Sequence, residues 1–142
     1  MNEKLCGPLE VKSLSSDEIR KKILVMDDEE MVGEIACQML DYLGFDAVHV
    51  IDGQAAIQEY VSQKDKGEPF NAVIMDLTIP GGMGGKEAVY EIRAIDTDAQ
   101  IFVSSGYSTD PAMVNCQEYG FTGVIVKPFD LAAIQKILDQ LT

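Results

Sequence analysis

From residue 22 onward a short apolar run and a helix-patterned stretch alternate five times. Runs such as Ile23-Leu24-Val25-Met26 and Ala72-Val73-Ile74-Met75 contain no polar residue. A strand patterned this way is buried on both faces, which in a water-soluble chain means a parallel sheet covered by helices on each side. The expected strands cover 22–27, 46–50, 71–76, 100–104 and 122–126.

The intervening segments carry helix signals. Val32, Ile35, Ala36, Met39, Leu40 and Leu43 recur at helical spacing, and Gly44 is placed to end that helix in a left-handed turn. The second helix is expected near 53–63 with Asp52 as its N-cap, and the third near 85–95 with Ala88, Val89 and Ile92 inward. Asp110-Pro111 provides a cap and an N1 proline for the fourth, which Gly120 ends. The fifth follows Asp130, with Leu131, Ile134, Leu138 and Leu141 on one face. Right-handed crossovers and short loops then favour a flavodoxin-like (βα)5 three-layer α/β sandwich, its five parallel strands in the order 2-1-3-4-5.

A chain of 142 residues, 46% apolar, suits one domain with one good-sized core. Residues 1–20 show no sustained period and contain Gly7-Pro8 and several serines. They read as a tail or linker, with a short helical turn at its end over 17–21. The expected domain covers 21–142. With 24 acidic against 11 basic residues the net charge is −13, which repels nucleic acid backbones and anionic membranes. Cys6, Cys37 and Cys116 are odd in number with no close pair, so neither a disulfide framework nor a CxxC metal site follows. No apolar run reaches membrane-spanning length and the N-terminus lacks a secretory core, so a cytoplasmic protein is expected.

The runs end in chemistry. Asp27-Asp28-Glu29 follows the first strand, Asp76 ends the third, Ser104-Ser105 follows the fourth and Lys127-Pro128 the fifth. In the order 2-1-3-4-5 the topological switch lies between strands one and three, so Asp27, Asp28 and Asp76 meet where such sheets bind ligands. Crowded carboxylates need a cation, and an oxygen-only donor set suits Mg²⁺. Asp76 is the expected nucleophile toward phosphorus, forming an acyl phosphate, with Lys127 stabilising the phosphoryl oxygens and Ser105 donating its hydroxyl to one of them. The glycine-rich stretch over 81–85 fails the nucleotide P-loop pattern, because Pro80 and Glu87 stand where a glycine and a hydroxyl are required, and reads as a flexible loop. The lone His49 falls on the second strand and is expected to lie away from the site.

Residues 21–141 resemble the receiver domain of two-component response regulators. In that family an acidic pair, a phosphoacceptor Asp, a Ser or Thr, and Lys-Pro stand at the ends of strands one, three, four and five. Here those are Asp27-Asp28, Asp76, Ser105 and Lys127-Pro128. The resemblance implies that Asp28, Asp76 and the Thr78 backbone carbonyl contact Mg²⁺ directly, that Asp27 acts mainly through water, and that the Lys127-Pro128 peptide is cis. It also implies a histidine kinase, or its phosphotransfer domain, as phosphodonor. The loop after Asp76 is one residue longer and richer in glycine than the common pattern, as in receivers of hybrid sensor histidine kinases. That likeness suggests a module of such a kinase, with 1–20 as linker. Val124 stands where many receivers have an aromatic switch residue; Tyr107 is nearby in sequence.

Two alternatives are open. A haloacid-dehalogenase-like phosphohydrolase would want a second Asp two residues after the nucleophile, where Thr78 stands, and a cap insertion that no loop is long enough to supply. A degenerate receiver acting only as an interaction module would be expected to have lost acidic or Lys positions that are all filled here. With no residues beyond the fifth helix for an output domain, the effect is expected to pass to a partner. The expected docking face comprises the fourth helix, fifth strand and fifth helix.

Overall fold

The computed structural model of the protein describes residues 20–128 and 130–141. The elements alternate as β1 (Lys22–Met26), α1 (Glu30–Tyr42), β2 (Asp46–Val50), α2 (Gly53–Asp65), β3 (Ala72–Asp76), α3 (Gly85–Ile95), β4 (Ile101–Ser105), α4 (Pro111–Val114), β5 (Gly123–Val126) and α5 (Leu131–Leu138). A 3-10 turn, Cys116–Tyr119, lies between α4 and β5. The five strands form one parallel sheet in the order β2-β1-β3-β4-β5. Among the described residues no helix is long and apolar enough to cross a membrane.

Strand alternation divides the core into two layers. Leu24, Met26, Val73, Met75, Ile101 and Val103 face α2 and α3, packing with Ala56, Tyr60, Ala88, Val89 and Ile92. Ile23, Val25, Ile74, Phe102 and Ile125 face α1 and α5, packing with Ala36, Leu40, Ile134 and Ile137. Each large side chain fully removed from water contributes about 1.5–3 kcal/mol, so these layers are the main favourable term for folding. All five strands point the same way, so their C-terminal ends share one edge.

The expected caps form. Asp52, Asp110 and Asp130 accept from the backbone N–H groups of Ala55, Ala112 and Ala133, and Gly44 and Gly120 have φ of 95° and 99°. Three expectations change. The fourth helix does not run to Gly120: Asn115, at φ −119° and ψ 50°, leaves helical conformation after one turn, and the chain continues as the 3-10 turn. On α5 the inward stripe is Ile134, Ile137 and Leu138, while Leu131 is exposed in the first turn. The glycine stretch over 81–85 is packed only in its second half: Gly81 and Gly82 are exposed, but a Cβ on Gly84 would stand 2.7 Å from the Leu77 oxygen, and one on Gly85 2.7 Å from the Asp76 oxygen. Those glycines permit close backbone approach, and the Gly85 N–H donates to Leu77 O at 3.0 Å.

The expected turn over 17–21 and Cys6 lie wholly or mostly outside the described residues. Arg20 donates to the carbonyls of Asp41, Gly44 and Phe45 and pairs with Asp41 and Asp46, bridging the end of α1 and the start of β2.

Candidate functional site

β1 and β3 are adjacent, and their ends bring the acids together. One carboxylate oxygen from each of Asp27, Asp28 and Asp76 lies within 4.8 Å of the others. Asp27 is 3% exposed and Asp28 is exposed, with Asp76 between. Lys127, just past β5, reaches across the edge: its Nζ is 2.7 Å from Asp27 Oδ2 and 3.3 Å from Asp76 Oδ2. Its backbone N–H donates to Ser105 O at 2.9 Å, and the Lys127–Pro128 peptide is cis.

The acidic pair does not cap α1. Glu29 holds the N-cap position without a side-chain cap bond, and Asp27 Oδ1 instead accepts from the Glu29 N–H at 2.9 Å. Burial pushes the Asp76 carboxyl up to about 6; Lys127 opposes that rise, and the charges of Asp27 and Asp28 add to it. Burial alone would lower Lys127, but its hydrogen bond to Asp27 and the charges of Asp76 and Asp27 outweigh this, and its pKa is raised. Three carboxylates against one ammonium leave two negative charges in an all-oxygen cluster. That donor set fits a hard divalent cation, which binds through few carboxylates and keeps several waters.

The hydroxyl positions divide. Ser105 is buried at the end of β4, and its Oγ accepts from the Tyr107 N–H at 3.0 Å. Ser104 is the residue in register with Asp76, and its buried Oγ has no hydrogen-bond partner among the described residues. Thr78 lies exposed just beyond β3. Tyr107 is 77% exposed, and Val124 is partly exposed on the edge strand β5. Beside Lys127 opens a largely apolar groove of about 480 Å³, lined by Glu29, Val32, Ile35, Gly106, Lys127 and Pro128.

His49 lies on the second strand as expected but nearer the acids than sequence reasoning placed it. It sits one strand from the acids, with Nε2 2.8 Å from the backbone oxygen of Asp27. The signal was available: β2 pairs with β1 in the expected order, setting His49 beside Val25 and Val50 beside Met26, so a long polar side chain there reaches the turn after β1.

The model of a family described as the response regulator receiver domain matches residues 23–139. Among curated proteins, the chain is 27% identical over 131 residues to the osmosensing histidine protein kinase SLN1 of Saccharomyces cerevisiae, covering 92% of this chain and 11% of that protein. It is 27% identical over 123 residues to the chemotaxis protein CheY of Thermotoga maritima, covering 86% of this chain and 98% of CheY. Among solved structures, the receiver domain of the sensor histidine kinase PA1611 from Pseudomonas aeruginosa superposes with a TM-score of 0.75 at 27% identity, over 86% of this chain and 97% of that one. That crystal structure has a magnesium ion coordinated in its active site cleft.

Proposed function

This chain belongs to the response regulator receiver domain family and is a phosphoacceptor module of two-component signalling, and from that premise we propose which residues perform the transfer. The carrying observation is the meeting of Asp27, Asp28 and Asp76 within 4.8 Å, with Lys127 bridging Asp27 and Asp76. A carboxylate oxygen of Asp76 attacks phosphorus of a phosphohistidine. The P–N bond breaks, the imidazole leaves with its electron pair and takes up a proton, and an aspartyl phosphate remains. Water later attacks phosphorus, the acyl P–O bond breaks, and Asp76 and inorganic phosphate are released. Mg²⁺ held by Asp27, Asp28, Asp76 and the Thr78 carbonyl would neutralise charge on the phosphoryl oxygens as transfer proceeds.

Lys127 holds the Asp76 carboxylate in place and presents a positive charge to the incoming group. Ser105 donates its hydroxyl proton to a phosphoryl oxygen once Asp76 is loaded, while its oxygen keeps accepting from the Tyr107 N–H. That added bond biases the loop after β4 toward one of two arrangements, which is the output signal. The phosphohydrolase alternative finds no support, since Thr78 offers no acid two residues beyond Asp76.

The phosphodonor is a histidine kinase or its phosphotransfer domain, approaching over the apolar groove beside Lys127. Output passes through the face of α4, β5 and α5, where Val114, Val126 and Leu131 are 64%, 46% and 41% exposed. The likeness to two histidine kinases supports a role within a hybrid kinase, with 21–142 as the receiver and 1–20 as linker. A cytoplasmic setting completes the reading, supported by Cys37 and Cys116 as half-buried free thiols among the described residues.

Intact-mass spectrometry after incubation with acetyl phosphate and Mg²⁺ tests the proposal. One phosphoryl group is expected on the wild type and none on Asp76→Asn. Equal uptake by both proteins would overturn the assignment of Asp76.

A further inference from the structure

Two features of the sequence have no role in the chemistry above: a glycine in the first turn of α1 and the lone histidine. Glycine inside a helix costs about 1 kcal/mol relative to alanine. Gly33 is nonetheless buried in the first turn of α1, and the His49 ring lies directly over it. A Cβ on Gly33 would stand 2.1 Å from His49 Nε2, 2.3 Å from Cε1 and 2.4 Å from Cδ2. No side chain at position 33 is compatible with the ring where it is, so the glycine and the histidine explain each other.

The ring is placed to make one bond. A backbone carbonyl only accepts, so His49 Nε2 carries the hydrogen and donates to Asp27 O at 2.8 Å. With that bond every polar atom of Asp27 is held: its N–H donates to Val50 O at 3.0 Å, Oδ1 accepts from Glu29 N–H at 2.9 Å, and Oδ2 meets Lys127 Nζ at 2.7 Å. The Asp27 carbonyl belongs to the peptide that leads into Asp28. Fixing that peptide plane fixes the direction in which Asp28, exposed and without a salt bridge among the described residues, presents its carboxylate.

We propose that His49, seated on Gly33, is a positioning residue that orients Asp28 for cation binding through the Asp27–Asp28 peptide. This rests on the reading of the acidic cluster as a Mg²⁺ site. Groups that orient metal ligands from behind commonly change metal affinity by about 10–100-fold when removed, and a tenfold loss is expected here.

Calorimetric Mg²⁺ titration of the whole chain at fixed neutral pH tests it, with wild type, His49→Phe, His49→Gln and Gly33→Ala. His49→Phe keeps a ring over Gly33 but has no donor, and its affinity should fall about tenfold. His49→Gln restores an N–H donor at similar reach and should stay within about threefold of wild type. Gly33→Ala displaces the ring and should match His49→Phe. Should His49→Phe fail to fold, His49→Val carries the same comparison. A purely structural role would lower the melting temperature of His49→Phe and His49→Gln alike while the folded proteins bind Mg²⁺ as wild type does, and that result overturns the proposal. Failure of the wild type to bind Mg²⁺ overturns the cation reading itself.

Discussion

Replacing Asp76 with Asn should make the cation-free protein more stable at neutral pH. The Asp76 side chain is 13% exposed and shares its pocket with Asp27 and Asp28. It titrates at about 6 in place of the ordinary 3.8. Between those values the folded state binds the proton that the unfolded chain has released, so stability falls as pH rises through this window and levels off above it. Below 3.8 both states are protonated and the difference vanishes. At about 1.4 kcal/mol per pH unit, ionised Asp76 costs the fold about 3 kcal/mol, a net figure that already contains the attraction of Lys127. Asn keeps the shape of the protonated acid without the charge. Urea unfolding in EDTA, followed by circular dichroism, should show the variant more stable by about 1 kcal/mol near pH 4.5 and about 3 kcal/mol near pH 7.5. Saturating Mg²⁺ should narrow the gap, because it binds the wild-type cluster more tightly. A variant less stable than wild type at pH 7.5, or a gap that does not change with pH, would refute the reasoning.

Other perturbations test the frame around the site. Arg93 donates to Gly120 O at 2.8 Å, to Thr97 O and Thr122 Oγ1 at 3.2 Å, and to Ala99 O, tying the end of α3 to the turn before β5. Arg93→Ala should therefore cost about 2–4 kcal/mol in chemical denaturation. Tyr60 Oη donates to Asp96 Oδ2 at 2.8 Å. Burial alone would raise Asp96, but this bond, the Asp98 N–H, Lys64 and Arg93 outweigh it and hold the carboxyl below its ordinary range. That contribution is present above the ordinary carboxylate pKa and is lost as pH falls through the depressed one. Tyr60→Phe should thus cost about 1–2 kcal/mol at pH 7 and less near pH 3, read by urea unfolding at both. Gly84→Ala drives a Cβ to 2.7 Å from the Leu77 oxygen, whereas a Cβ on Gly106 meets nothing within 4 Å. The first should cost about 1–3 kcal/mol and slow acetyl phosphate uptake, with Gly106→Ala within about 0.5 kcal/mol of wild type.

The strands and the acids were legible because burial on both faces writes itself as an unbroken apolar run. Each expected strand lies within one residue of the observed one at either end, and the strand order then carries Asp27, Asp28, Asp76 and Lys127 to one edge. Geometry set by single residues was harder to read. Asn115 ends α4 after one turn, although the cap at Asp110 forms as expected; Gly120 is left-handed but closes the 3-10 turn instead of α4. Leu131 fits a four-residue apolar face, but at about 100° per residue it sits at the rim of the stripe centred on Ile134, Ile137 and Leu138. His49 was placed too far from the acids because a strand pattern reports which residues alternate, and a bond from side chain to a neighbouring strand's carbonyl leaves no periodic trace. Ser104 and Ser105 illustrate the same limit. Alternation puts them on opposite faces, while only the structure reveals that one hydroxyl accepts from Tyr107 and the other has no partner among the described residues.

The most direct test of Asp76 as phosphoacceptor is chemical trapping. After loading with acetyl phosphate and Mg²⁺, borohydride reduces an aspartyl phosphate to homoserine, and peptide mass spectrometry locates the converted residue. Homoserine at position 76 alone is the predicted result. Conversion at position 27 or 28, or a phosphoryl group that resists reduction because it sits on a serine, would contradict the account.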